Sequence, residues 1–153
     1  MKIVDYLKET DILPDLQATS REEVLREMVE HLFNAGKIRD ANELVQILLD
    51  REMLGSTGIG HGVAIPHGRL AGLNEILLVF GRSEKGIDFE AHDDKPVNLF
   101  FLLVAPEDSA GLHLKALARI SRILKNPECR AALLNTRDRE ALFRTIREED
   151  ERH

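Results

Sequence analysis

Apolar residues recur at helical spacing near the beginning of the chain, give way to unbroken apolar runs, and return to helical spacing near its end. Ser20 with Glu23 three residues later has the form of a capping box, and Val24, Met28 and Leu32 with Leu25, Val29 and Phe33 repeat behind it at intervals of four. A helix stopped by Gly36 follows. Asp40 with Glu43 opens a second helix, whose stripe of Leu44, Ile47 and Leu48 runs on to about Met53, and the pair is expected on one side of the fold. Val63 to Ile65 predicts a short strand. Ile76 to Phe80 and Val97 to Val104 are continuous apolar runs, which predict strands covered on both faces. Gly86, the acidic Asp88 and Glu90, and His92 to Lys95 predict turns between neighbouring strands.

Beyond Pro106 the helical period returns, with Leu114, Leu117, Ala118, Ser121 and Leu124 on one face of a segment from about Gly111 to Leu124 that Asn126 and Pro127 end. A short helix around Cys129 to Leu134 follows. The last helix is expected from about Arg137 to Arg147, with Ala141, Leu142 and Ile146 inward, and residues 149–153 are expected to fray. Helices, then strands, then helices predict an α/β fold: one domain over residues 1–148, with a central mixed β-sheet flanked by helices on both faces. The order of the strands is not contained in the pattern.

Composition narrows the function. The chain has 153 residues, 43% hydrophobic and 31% charged, which suits one globular domain and is too apolar for a disordered chain. A net charge of −6 without a run of Lys or Arg argues against a nucleic-acid partner. The single cysteine, Cys129, cannot form an intramolecular disulfide and fits a reducing, cytoplasmic setting. The longest strongly apolar stretch, Leu99 to Ala105, falls far short of the roughly 20 residues of a membrane-spanning helix. MKIVDYLKET at the start lacks the continuous apolar segment of a secretory signal. Neither membrane nor export is expected.

The texture changes at GSTGIGHGVAIPHG, residues 55–68, where five glycines and one proline in fourteen residues predict a shaped loop. Pro66 and Gly68 bracket His67, so the backbone is stiff on one side of the imidazole and unobstructed on the other. A reference pKa of about 6.5 leaves an unprotonated ring nitrogen near pH 7, which suits acceptance of a phosphoryl group. Such transfer needs alignment and donors around three charged oxygens more than covalent help. Glycine N–H groups, among them that of Gly68, and the guanidinium of Arg51 are candidate donors. A plainer reading stands beside each. His67 can cap a strand at the surface, Arg51 is favourable at a helix C-terminus through the macrodipole, and His113 can be a polar cap. Ser56 and Thr57 fit turn hydroxyls as well as phosphate donors.

Other chemistries find no support. Residues 55–62 are not a G-x-G-x-x-G fingerprint and no Gly-Lys-Ser/Thr follows, so a nucleotide is not expected. His61, His67 and His113 do not have the spacing of a compact zinc site, and Ser56 is not in a G-x-S-x-G elbow.

Arg51-Glu52, STGIG from Ser56 to Gly60, and GVAIPHGR from Gly62 to Arg69 resemble the signature of the fructose- and mannitol-class IIA proteins of bacterial phosphotransferase systems, the EIIA type-2 domain. HLKALARIS, His113 to Ser121, is similar to that family's second marker. The resemblance implies that His67 is phosphorylated on Nε2 by an HPr- or NPr-like phosphocarrier, that His113 supports it and Arg51 stabilises charge, and that no metal or cofactor is needed. His61 stands at a variable position and inherits no role. The opening of the chain and the second marker look most like the nitrogen-related members, in which phosphorylation state governs contacts with target proteins. A stand-alone sugar-specific IIA, passing phosphate to a fructose- or mannitol-class EIIB, is the alternative.

Overall fold

A computed structural model describes residues 1–153. Two single-turn 3-10 helices, Ile3–Asp5 and Glu9–Asp11, lead into strand β1, Ile12–Leu13. Helices α1, Arg21–Asn34, and α2, Ala41–Met53, follow. Both begin as the sequence predicts: the Ser20 hydroxyl accepts from the Glu23 N–H, and the Asp40 carboxylate from that of Glu43. The strands are β2, Gly58–Gly60; β3, Val63–Ala64; β4, His67–Leu70; β5, Leu77–Ile87; and β6, Val97–Pro106. Helices α3, Ala110–Lys125, α4, Pro127–Leu134, and α5, Arg139–Glu151, close the chain.

The strands form one mixed sheet in the order β1-β5-β6-β3-β2, with β4 pairing in parallel along the same edge of β6 that β3 occupies. Strands β5 and β6 are antiparallel. Side-chain alternation along them explains why the apolar runs are unbroken. Phe100, Leu102 and Val104 of β6 face a core shared with α1 and α2, whereas Leu99, Phe101 and Leu103 face a second core shared with α3, α4 and α5. The protein is thus the three-layer α/β sandwich expected, and no helix is long and apolar enough to cross a membrane.

Four expectations need correction. Strand β5 continues to Ile87 rather than stopping at Phe80, through Arg82, Ser83, Glu84, Lys85 and Gly86. Arg82 is buried there because its guanidinium donates to the Leu133 and Leu134 carbonyls at the end of α4, so a charge occupies a core position. Helix α3 is rolled relative to the predicted face: Ala116, Ile120, Ile123 and Leu124 are buried, while Leu114 is 67% exposed and Ala118 is also at the surface. The glycine-rich segment is not wholly loop, since it holds β2, β3 and the start of β4. The C-terminus does not fray at residue 149. Helix α5 runs to Glu151, and Glu149 and Asp150 are buried because polar partners on other elements receive them.

Candidate functional site

The segment from Gly58 to Leu70 is built as a hairpin and then a strand. His61 and Gly62 form the two-residue connection between β2 and β3, with φ of 58° and 75°. Both left-handed angles are what a type I′ hairpin turn requires, and histidine tolerates that region better than most residues. His61 is therefore a turn residue with an exposed side chain. After β3, Pro66 breaks the run of ladder donors, although its carbonyl still accepts from Leu103 N–H at 2.9 Å. The chain then rejoins β6 at His67, in register with Leu103.

His67 begins β4 with its ring half-buried. Its Nδ1 lies 2.7 Å from the Ile65 carbonyl oxygen. A carbonyl only accepts, so the proton sits on Nδ1 and Nε2 keeps its lone pair. Opposite stands His113 in the first turns of α3, with ring centroids 5.4 Å apart and planes at 77°. Burial pushes the His67 imidazole below its ordinary pKa and the Arg51 guanidinium adds to this, while the Ile65 carbonyl and the Glu52 carboxylate pull the other way. His113 is lowered too, first by burial, then by the charges of His67 and Arg69. Both rings are held neutral further into the acid range than free histidine.

A pH titration of the His67 ring resonances should accordingly give a midpoint below the reference of about 6.5. Arg51→Ala should move it back upward. A midpoint at or above the reference in the wild-type chain would contradict the burial argument. The linkage has a definite sign. With folded values depressed, stability is complete above the unfolded value of about 6.5 and is lost as pH falls from there toward the folded midpoints.

Arg51 is partly exposed at the end of α2 and donates from Nη1 to the Gly55 carbonyl at 2.9 Å, which ties it to the segment leading into β2. Its charge reaches His67. The structure thus gathers His67, His113 and Arg51. It does not add Ser56 or Thr57 as phosphate donors. The Ser56 hydroxyl donates to the Phe89 carbonyl at 2.7 Å and accepts from Gly58 N–H. Thr57 is buried and donates its hydroxyl to Glu52 at 2.5 Å. Gly68 has a packing reason instead: a Cβ there would lie 2.9 Å from Ile47 Cγ2, so its absence lets β4 sit close against α2.

Glu52 is the residue whose part the sequence pattern left unassigned. It is buried, and its carboxylate accepts both the N–H and the hydroxyl of Thr57, pinning the turn that starts the hairpin. A carboxylate next to Arg51 and immediately before the glycines was the available signal. Met53 and Leu54, which follow Arg51 in the chain, Ile59 on β2, and Leu114, which follows His113, are large apolar side chains left exposed, at 78%, 85%, 45% and 67%.

Comparison with known proteins places the chain as a whole. Residues 5–149 match the family model described as "Phosphoenolpyruvate-dependent sugar phosphotransferase system, EIIA 2". The chain is 41% identical over 148 residues to the nitrogen regulatory protein of Bradyrhizobium diazoefficiens, covering 95% of each. It is 37% identical over 150 residues to the fructose-specific EIIABC component of Bacillus subtilis, covering 98% of this chain and 24% of that one. The crystal structure of nitrogen regulatory protein IIA-Ntr from Neisseria meningitidis superposes with a TM-score of 0.87 at 32% identity, over 94% of this chain and 98% of the other. With its sandwich fold, its paired histidines and a match along nearly its whole length, the chain belongs to the EIIA type-2 family of phosphotransfer components of the phosphoenolpyruvate-dependent phosphotransferase system.

Proposed function

We propose that this protein is a cytoplasmic phosphocarrier that accepts a phosphoryl group on His67 Nε2 from an HPr- or NPr-like protein and acts mainly as a nitrogen-type regulator. One observation carries the acceptor assignment: the Ile65 carbonyl holds the proton on Nδ1, which leaves the nucleophilic lone pair on the other nitrogen, beside His113. In the step itself the Nε2 lone pair attacks phosphorus in line. The N–P bond forms as the bond from phosphorus to the donor breaks, and that electron pair leaves with the donor. The proton stays on Nδ1 throughout, donated in a hydrogen bond to the Ile65 carbonyl.

His113 and Arg51 then face the charge that the phosphoryl group brings. Helix α3 adds to this, because its N-cap residue Ser109 turns its hydroxyl to the Pro106 carbonyl and makes no side-chain cap. The first N–H groups of the helix are left as donors near His113. The exposed Met53, Leu54, Ile59 and Leu114 supply the apolar rim on which a carrier protein docks and excludes water.

The emphasis on regulation is supported by full-length similarity to nitrogen regulatory proteins. Similarity to the EIIA portion of a fructose-specific protein supports the second reading, delivery to a fructose- or mannitol-class EIIB. The two are separated by loading the protein with labelled phosphate and offering it a fructose-class EIIB. The regulatory reading expects acid-labile label to stay on His67 or return to the carrier. Rapid stoichiometric transfer to the EIIB would replace it with the sugar-specific one.

A further inference from the structure

We propose that Arg69 is a second cation that binds the phosphoryl oxygens on His67, from the α3 side of the ring, opposite Arg51. The inference rests on the assignment of His67 as acceptor and extends it to a residue with no other explanation in the fold.

Alternation along β4 places Arg69. Gly68 is packed against Ile47 and Leu48 of α2, and Leu70 lies in the same core. Residues 67 and 69 therefore point to the other face, toward α3. Two strand residues on one face are about 6.6 Å apart along the strand, a span that an arginine side chain bridges to a group carried on the neighbouring ring. Its charge is among those that depress His113, in keeping with that placement.

Nothing within the chain claims this side chain. Arg69 is exposed and takes part in none of the chain's ion pairs. Arg51, by contrast, spends one donor on the Gly55 carbonyl. A phosphoryl group offers three charged oxygens, and a planar guanidinium with five donors meets two of them at once. Arg51 alone leaves oxygens on the α3 side to His113 and the helix N-terminus. A free arginine on that side completes the set.

Transfer of labelled phosphate from a phosphorylated HPr-like donor, measured over a range of donor concentrations, tests this with Arg69→Gln and Arg69→Lys. Arg69→Gln is expected to lower kcat at least about tenfold with KM little changed and to shorten the lifetime of the phosphohistidine, and Arg69→Lys to recover part of the rate. Both variants should melt with the wild type, because the side chain is exposed and unpaired. An unchanged kcat and lifetime in Arg69→Gln overturns the proposal. So does a rise in KM alone, which assigns Arg69 to docking, or a matching fall in melting temperature, which assigns it to structure. If the wild-type chain takes no label, or takes it on a residue other than His67, the acceptor assignment itself has failed and Arg69 falls with it.

Discussion

His67→Ala is expected to take up no acid-labile phosphate from a phosphorylated HPr-like donor under conditions in which the wild-type chain labels to completion, a loss of at least about 1,000-fold. The substitution removes the one imidazole of the ring pair whose free nitrogen is defined by a hydrogen bond at the other ring atom. His113 is near enough to raise the question of substitution, with ring centroids 5.4 Å apart. It sits on a helix rather than on the bracketed strand, and no carbonyl fixes its tautomer, so it should not inherit the reaction. His113→Ala should therefore still label at His67, more slowly or with a shorter-lived product. The fold should survive His67→Ala, because the ring is half-buried and its one hydrogen bond contributes about 1 kcal/mol. Far-ultraviolet circular dichroism and melting would check that. Normal labelling of a folded His67→Ala chain would place the acceptor elsewhere.

How much of this was legible in the sequence differs from element to element, for physical reasons. The β6 run from Val97 was readable because both faces of a central strand are buried, so every side chain along it is apolar. The far half of β5 was not, because Arg82 is buried by bonding to carbonyls more than fifty positions away, and no local pattern encodes that. Helix α3 carries apolar residues on two faces; the core takes Ala116, Ile120 and Ile123, and Leu114 is left at the rim beside His113. Within the site, His67 stood out through its proline and glycine neighbours. Its tautomer did not, since that depends on where the Ile65 carbonyl points. Thr57 misled for a similar reason: a hydroxyl in a glycine-rich segment looks free until its partner, Glu52, is seen folded back over it.

The tail that composition suggested would fray leads to the largest expected effect on stability. Asp150 is completely buried, and Arg119 is 9% exposed. Arg119 Nε donates to Asp150 Oδ1 at 2.6 Å and Nη2 to the Asp150 carbonyl at 2.8 Å, while Val4 N–H donates to the other carboxylate oxygen at 3.1 Å. One carboxylate thereby joins the N-terminal segment, α3 and α5. Its mutual attraction with Arg119 contributes less than these distances suggest, because both charges had to leave water. Removing one partner is a different matter. Asp150→Ala leaves the buried Arg119 charge without its counter-ion, and Arg119 Nε and the Val4 N–H without their acceptor, at an expected cost of about 3–5 kcal/mol. Against a total stability of about 5–15 kcal/mol this is a large share, and it should lower the melting temperature by about 10 °C. Truncation after Glu148 should lower it at least as much, since it also removes the buried Glu149 and its bond to Asn126. Replacing both charges, Arg119→Met with Asp150→Leu, should recover most of the loss, because neither charge is then stranded. Melting of Asp150→Ala within about 1 °C of the wild type would mean that water reaches Arg119 and that the end of α5 is loose after all. Phosphoryl acceptance measured well below the lowered melting point should persist in Asp150→Ala, since the Ile65 carbonyl that fixes the His67 ring and the Arg51 and Glu52 charges that act on it lie outside α5.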